Sequence, residues 1–598
     1  MTDASVDCLS AAFQRLDFAT PPKQQEEDQV NFVEEVRQLL ERGGGESLIA
    51  LQEDATAKLA GVAQTLSIPY EAHQSSFQHL SAAAAELKAC ITREYSSEKL
   101  QRTFLLLRAE PQAIQDHIEV RVAIVGNVDA GKSTLLGVLT KGALDDGRGR
   151  ARVGLFRHKH ELDTGRTSSV GTEVMGFRAD GSPVVEFHSQ DSGTRRVAWE
   201  TICQEAAKVV SFIDLAGHER YLKTTVYGMT SGLPDYVTLM VGANAGLIGM
   251  SKEHLGIALA LGIPLCVVVT KVDMCPAHIL DATLKQIEKV LQSPGCRKSP
   301  IKVQSKEDVI QAAVQLPVEK ICPIFQVSNV TGMNLDLLRL FFNLLPSGQA
   351  RFAPMQTKPA EMPITDIFSV PFVGTVVSGV LTAGTVHVGD TLLLGPDSLG
   401  QFVTTSVRSI QRKRVNVETA YAGQSISFAL KRVKRNQVRK GMLLLARTSQ
   451  APTAHQEFEA EVLCLYHSTT LSLGSCIVLH AASIRQTVKI LAIAKIESNS
   501  KRSQPSDTLQ PLEDTKPVVR MGDRARLRLQ FVAAPEYIQP GTKLIAREGR
   551  TRLVGVVRDV GDAMQMNLGL NSRDARNPGK TRSNTVPIPH TAQLSTTA

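Results

Sequence analysis

Residues 126–133 read Gly-Asn-Val-Asp-Ala-Gly-Lys-Ser, and their reading decides the fold. They fit G-x-x-x-x-G-K-[ST], the phosphate-binding loop. Its glycines let the chain turn tightly, and its backbone N–H groups point at phosphate oxygens. In that geometry Lys132 reaches the β- and γ-phosphates, and the Ser133 hydroxyl binds Mg²⁺. Asn127, Val128, Asp129, Ala130, Gly131 and Thr134 are the other candidate phosphate contacts. Residues 118–125 (Ile-Glu-Val-Arg-Val-Ala-Ile-Val) predict a strand directly before the loop. Residues 133–139 (Ser-Thr-Leu-Leu-Gly-Val-Leu) predict a helix directly after it. A strand–loop–helix setting puts the phosphates at a helix N-terminus, where the dipole favours anions.

Four segments further along extend this loop to a GTP site. Asp214-Leu215-Ala216-Gly217-His218 follows an apolar strand candidate. Asp214 is placed to hold Mg²⁺ through water, and the Gly217 N–H to meet the γ-phosphate and sense its loss. His218 then stands beside the attacking water, and positioning is the protein's main task in phosphoryl transfer. Thr270-Lys271-Val272-Asp273 closes another strand. The Asp273 carboxylate can accept both donors of the guanine N1/N2 edge, a pair that adenine lacks, while Lys271 lies along the base. Thr270 is counted with the guanine-binding residues. Ser328-Asn329-Val330 ends the last strand candidate of this region, with backbone N–H groups for guanine O6. Finally, residues 142–172 are rich in glycine and charge and contain Gly165-Arg166-Thr167-Ser168-Ser169-Val170. One hydroxyl there completes the Mg²⁺ shell, and Thr167, Ser168 and Ser169 compete for the role.

Away from the motifs, the chain divides by pattern. Residues 119–346 alternate apolar strands (209–215, 236–242, 265–270, 324–328) with helical segments, the signature of a doubly wound α/β domain. Nucleotides bind such sheets at the carboxyl ends of the strands, where the polar motifs fall. From about residue 363, short β-branched segments separated by Gly or Pro (364–370, 374–381, 391–394, 402–411) predict a barrel or sandwich. A second such set (458–466, 476–483, 487–495, 524–532, 553–558) is interrupted by a polar insertion at 497–517, expected as a solvated loop. Residues 1–118 suggest a small helical or α/β module, with helix candidates at 30–40 and 79–93 and a strand at 103–107. The tail from residue 562 has little to bury and is expected to be disordered.

Composition sets outer limits. A chain of 598 residues needs several cores, and 43% hydrophobic with 21% charged residues is ordinary for a globular protein. A net charge of +8 permits a polyanionic partner without demanding one. Nine scattered cysteines without a C-x-x-C pair argue against a disulfide scaffold or zinc site and fit a reducing compartment. The first ten residues lack a signal pattern. The longest apolar run, 257–269, is short of the ~20 residues a bilayer requires. A cytoplasmic protein with no membrane partner is expected.

The motifs, followed by two β-rich blocks, resemble the translational GTPases of the elongation factor Tu/1A class and, more closely, the GTP-binding protein 1/2 family. The likeness rests on residues 126–139, 158–170 and 214–221 (Asp-Leu-Ala-Gly-His-Glu-Arg-Tyr). In the β-rich blocks it rests on 370–379 with Gly-Thr-Val-Val-Ser-Gly, 409–415 with Arg-Lys-Arg, 458–462, 483–487 (Ser-Ile-Arg-Gln-Thr) and 547–555. Covering roughly residues 119–561, it implies a P-loop GTPase domain (119–347) and β-barrel domains at 348–450 and 451–561, between the partly disordered N-terminal module (1–118) and the tail (562–598) read from the residues. It also implies GTP hydrolysis with His218 as the catalytic residue, Asp129 and Val128 at positions that help hold a monovalent cation and fence that histidine, and Mg²⁺ as cofactor with Ser169 at the position of the magnesium threonine. Aminoacyl-tRNA and the ribosome are the implied partners, of a chain expected to be a monomer. The basic residues Arg412, Lys413, Arg414, Lys431, Arg432, Lys434 and Arg435 would then meet RNA phosphates. The competing expectation is a GTP-dependent RNA-binding adaptor linked to RNA decay. The chain departs from the elongation factors at Thr270, which replaces asparagine, at Arg166–Ser169, and at Phe372-Val373.

Overall fold

The computed structural model describes residues 34, 37, 38, 40, 45–52, 67–68, 89–97, 102–111, 116–186, 198–466, 470–495, 518–548 and 551–561. The insertion at 497–517 and the tail from 562 lie outside them. So does most of the helix candidate at 30–40, of which Glu34, Arg37, Gln38 and Leu40 are helical. Among its described residues, the N-terminal module forms a four-stranded sheet of β1 (Glu46–Gln52), β2 (Ser67–Ile68), β3 (Ala89–Ser97) and β4 (Arg102–Ala109), in the order β2-β1-β4-β3. Residues 89–93 of the alanine-rich helix candidate are therefore strand. There the β-branched Ile91 and Thr92 pair with Leu107 and Leu106 of β4, and pairing overrides local helix propensity.

The central sheet is built from β5 (Ile118–Gly126), β6 (Gly171–Phe177), β7 (Lys208–Asp214), β8 (Tyr236–Gly242), β9 (Leu265–Thr270), β10 (Ser299–Lys302) and β11 (Ile321–Gln326). Their order is β10-β11-β9-β8-β5-β7-β6, and only β6 is antiparallel to its neighbour. β5 is buried at all nine positions, as a central parallel strand must be. Its alternate side chains feed two cores. Val120, Val122 and Ile124 join one face, and Ala123 and Val125 the other. Each such aliphatic side chain contributes about 1.5–3 kcal/mol on burial. The helices that cover the faces are α1 (Lys132–Lys141), α2 (Arg150–Val153), α3 (Lys159–Thr164), α4 (Trp199–Glu205), α5 (Leu222–Ser231), α6 (Met250–Leu261), α7 (Ala277–Gln292), α8 (Lys306–Gln315) and α9 (Leu335–Leu344).

Ten strands follow in the next block: β12 (Glu361–Pro363), β13 (Asp366–Val370), β14 (Gly374–Val380), β15 (Thr385–His387), β16 (Thr391–Gly395), β17 (Val403–Arg412), β18 (Val415–Val417), β19 (Thr419–Tyr421), β20 (Ser425–Lys431) and β21 (Leu443–Ala446). Eight form one sheet, and β15 pairs with β19. The last block is a closed barrel of β22 (Glu457–Tyr466), β23 (Cys476–Ala481), β24 (Ile484–Lys495), β25 (Arg524–Phe531), β26 (Lys543–Glu548) and β27 (Thr551–Val560). β26 carries no signal in the sequence reading. Among the described residues, no helix is long and apolar enough to cross a membrane.

Charged joints hold the parts together. Glu46 of the N-terminal sheet takes Arg108 (2.9 Å) and Lys208, and both cations also donate to the Asn343 carbonyl at the end of α9. Arg439 of the second block forks onto Glu536 of the third at 2.8 and 3.0 Å. The joint between the GTPase domain and the second block overturns one expectation. Arg412 and Lys413 are buried rather than presented to RNA, because both turn onto Glu119 of β5 (3.6 and 2.8 Å). Arg412 also donates to the His117 carbonyl. Arg414 is exposed but lies over the Trp199 ring at 4.6 Å.

Burial alone would raise the Glu119 carboxyl. Lys413, Arg412 and Arg121 outweigh burial and hold it far below the usual carboxylate range. A depressed folded value means this stabilisation is present above the unfolded pKa of about 4.3 and is lost as pH falls below it. Glu119→Gln removes the buried carboxylate that Arg412 and Lys413 share. It is expected to cost about 3–5 kcal/mol, read as a lower urea midpoint at pH 7, with a difference from the parent that shrinks below pH 4.

Candidate active site

The phosphate loop sits between β5 and α1, at the carboxyl ends of the central strands. Its first residue, Gly126, has φ 147°, and a Cβ there would lie 2.3 Å from the Met240 carbonyl. The loop is held from behind by α6. The Ser251 hydroxyl accepts the Asn127 N–H (3.0 Å), and His254 Nδ1 accepts the Gly126 N–H (3.1 Å). Burial, with Lys132 and Arg547 nearby, lowers His254 to about 3, so the ring is neutral and keeps its acceptor nitrogen. The residue before it in the helix, Glu253, faces the third block and pairs with Arg547 (3.2 Å) and Arg552. One helix thus touches the nucleotide loop on one face and the barrel on the other.

Lys132 is buried and donates to the Asn127 carbonyl at 2.7 Å. Burial lowers its ammonium to about 8, against the pull of Asp214 and Asp129. A bound polyphosphate would supply the anionic partner that burial makes valuable. Gly217 packs directly on this lysine, since a Cβ there would meet Nζ at 2.3 Å. Ser133 Oγ donates to Asp214 Oδ2 (2.7 Å) and lies 2.8 Å from Thr167 Oγ1. Burial pushes the Asp214 carboxyl up, while Ser133 and Lys132 pull it down. Its other oxygen, Oδ1, is buried without a hydrogen-bond partner among the described residues. Two hydroxyls and an orphaned carboxylate oxygen form an all-oxygen corner that suits a hard divalent cation such as Mg²⁺. His218 stands at the rim, its Nδ1 accepting the Arg220 N–H (3.1 Å), which leaves the neutral ring's proton on Nε2. The cleft along Lys132, Ser133, Thr167, Gly217 and His218 is open to solvent and spans about 430 Å³ with that solvent space included.

Comparison with known proteins agrees with this geometry. The family model "Elongation factor Tu GTP binding domain" matches residues 117–347, and "Elongation factor Tu domain 2" matches 374–445. The chain is 48% identical to GTP-binding protein 1 of Xenopus laevis, over 82% of this chain and 73% of that one. It is 39% identical to human GTP-binding protein 2, over 90% and 86%. The chain belongs to the GTP-binding protein 1/2 family of translational GTPases. It is a GTPase. In fold it is similar to the apo crystal structure of translation elongation factor SelB from Methanococcus maripaludis (TM-score 0.50, 18% identity, 74% of this chain and 80% of that one).

Within this family member, the base side of the site departs from expectation at Thr270. Its hydroxyl is buried and donates to the Ala130 carbonyl (3.0 Å), so the side chain that replaces the asparagine braces the phosphate loop from the end of β9. Lys271, in the left-handed region (φ 62°), turns the chain so that Asp273 stands exposed beyond the strand end. Ser328 Oγ accepts the Val330 and Thr331 N–H groups and shapes the second base-side turn. The Asn329 carbonyl accepts the Asp145 N–H, and its side-chain Oδ1 is buried without a partner among the described residues. Val330 is exposed.

Of the three hydroxyls, that of Thr167 stands at the Ser133 corner. Glu161 of α3 claims the other two, accepting the N–H and hydroxyl of both Ser168 (2.7, 2.8 Å) and Ser169 (3.1, 3.2 Å), with Arg157 and His158 N–H groups on its second oxygen. Burial alone would raise this carboxyl, but the hydrogen bonds bring it to about 2. Ser169 therefore does not reach the Ser133 corner. Sequence reading missed Glu161, Ser251, His254 and Arg152. Ser251 and His254 left a trace, as polar residues three apart and so on one face of a helix.

Proposed function

We propose that this GTPase is a switch whose GTP form grips aminoacyl-tRNA and acts at the ribosome, in the cytoplasm and as a monomer. The observation that supports it is α6. Ser251 and His254 hold the N–H groups that open the phosphate loop, while Glu253 holds Arg547 and Arg552 of the barrel. A shift of the loop on loss of the γ-phosphate is thereby passed to the third block through one rigid element. The RNA side is supported by the second block. Phe372 is wholly exposed at the β13–β14 turn, and Arg408 donates to its carbonyl. Thr375 of that hairpin donates to the Val433 carbonyl, which brings the turn beside exposed Lys431, Arg432, Lys434 and Arg435. An exposed aromatic among cations suits stacking on a base with phosphates alongside.

In hydrolysis, Lys132 and the N–H groups of residues 127–134 bind the phosphates, Gly217 senses the γ-phosphate, and Asp273 with Lys271 and the 328–330 turn selects guanine. Ser133, Thr167 and, through water, Asp214 would hold Mg²⁺, which supplies charge neutralisation at the β- and γ-phosphates. His218 orients the attacking water. Ribosomes are expected to stimulate GTP turnover by the purified protein. Turnover indifferent to ribosomes would favour the adaptor tied to RNA decay.

A further inference from the structure

Arg152 lines the phosphate cleft together with Lys132, Ser133, Gly217 and His218, and none of the GTPase motifs assigns it a role. Its guanidinium rests against two glycine backbones. A Cβ on Gly149 would stand 2.6 Å from Nε, and one on Gly165 would stand 3.2 Å from Nη2. Among the described residues, no hydrogen bond or ion pair engages this guanidinium.

The mount beneath it is rigid. The Asp145 carboxylate is 4% exposed and accepts the N–H groups of Gly147 (3.1 Å), Gly149 (3.0 Å) and Ala151 (3.0 Å). The short helix α2 presses on α1 so closely that a Cβ on Gly137 would lie 2.1 Å from the Ala151 carbonyl. Lys141 of α1 donates to that same carbonyl. The Asp145 N–H is in turn held by the Asn329 carbonyl of the base-side turn. A long cation with a fixed stem and a free head, aimed into a phosphate cleft, is preorganised for an anion. Arg166 also lines the cleft, but it is exposed and lacks such a mount.

We propose that Arg152 is a catalytic residue supplied in cis, with its guanidinium on the β–γ bridge of bound GTP. In hydrolysis the water oxygen bonds to the γ-phosphorus, and the water proton passes to phosphate and solvent. The bond from that phosphorus to the bridging oxygen breaks, and its electron pair stays on the oxygen of the leaving GDP. Arg152 neutralises the charge that grows there. Because it is fixed before the reaction, it does so without reorganisation. An arginine placed at this point accelerates GTP hydrolysis in other GTPase classes, whether in cis or in trans. The proposal rests on GTP hydrolysis at this cleft and is independent of any RNA partner.

The test is single-turnover hydrolysis at saturating GTP, without ribosomes, for Arg152→Ala, Arg152→Lys and Arg166→Ala, with GDP affinity and melting temperature measured alongside. Arg152→Ala is expected to slow hydrolysis by about 10²-fold while GDP affinity and melting temperature stay near the parent values. Arg152→Lys should fall between, guanidinium ion in the buffer should partly restore the alanine variant, and Arg166→Ala should keep the parent rate. An unchanged rate in Arg152→Ala would overturn the proposal. So would a loss matched by GDP affinity and melting temperature without guanidinium rescue, or a loss carried by Arg166→Ala instead. If the parent itself binds GTP but does not turn it over, the hydrolysis reading fails first.

Discussion

Asp273→Asn is expected to turn a site for guanosine nucleotides into one for xanthosine nucleotides. Thr270 ends β9 buried under the phosphate loop, Lys271 turns in the left-handed region, and Asp273 emerges exposed beyond the sheet. A carboxylate there accepts from both guanine donors, N1–H and N2–H. Each charge-assisted bond contributes ~1.5–3 kcal/mol, so losing the pair lowers GTP affinity by roughly 10²–10⁴-fold. The carboxamide offers one donor and one acceptor, which match a base bearing O2 in place of the amino group. Xanthosine triphosphate should therefore compete better than GTP for the variant, in displacement of a fluorescent nucleotide. A variant that keeps the parent preference would remove Asp273 from base recognition.

The second large effect is expected at His218. The ring lies at the mouth of the cleft, with Nδ1 occupied by the Arg220 N–H and its edge toward Tyr221. No bond ties it to the phosphate loop, so His218→Ala should leave GTP and GDP affinity near the parent values. Loss of a group that positions the attacking water costs ~10²–10⁴-fold in rate. The loss should appear in ribosome-stimulated turnover. Because Lys132, Ser133 and Asp214 do not contact the imidazole through any hydrogen bond described above, a loss of affinity instead would assign His218 to nucleotide binding.

Legibility in the sequence followed the range of the interactions. The strands 236–242 and 265–270 are continuous apolar runs ended by polar motifs, and they match β8 and β9 end for end. The phosphate loop, Asp214 and His218 are local motifs, and the fold brings the loop and His218 to one cleft with Asp214 hydrogen-bonded to Ser133 at its base. What could not be read depends on contacts between distant segments. Arg412 and Lys413 look like an RNA-facing pair until Glu119, almost 300 positions earlier, buries them. Thr167 rather than Ser169 stands beside Ser133 because Glu161 takes Ser168 and Ser169. Arg152 carries no motif, and its position depends on the Asp145 turn and the close packing of α2 on α1. Residues 89–93 became strand because β4 was there to pair with them.

In the proposed switch, nucleotide state at the phosphate loop controls the grip on an RNA through α6 and the two β-rich blocks. This control is tested most directly by filter-binding of aminoacyl-tRNA to the full chain loaded with a non-hydrolysable GTP analogue or with GDP. Binding is expected to be tighter in the analogue state by about 5–150-fold, the usual span of coupling between two sites. Equal affinity in the two states, or no binding in either, would contradict it.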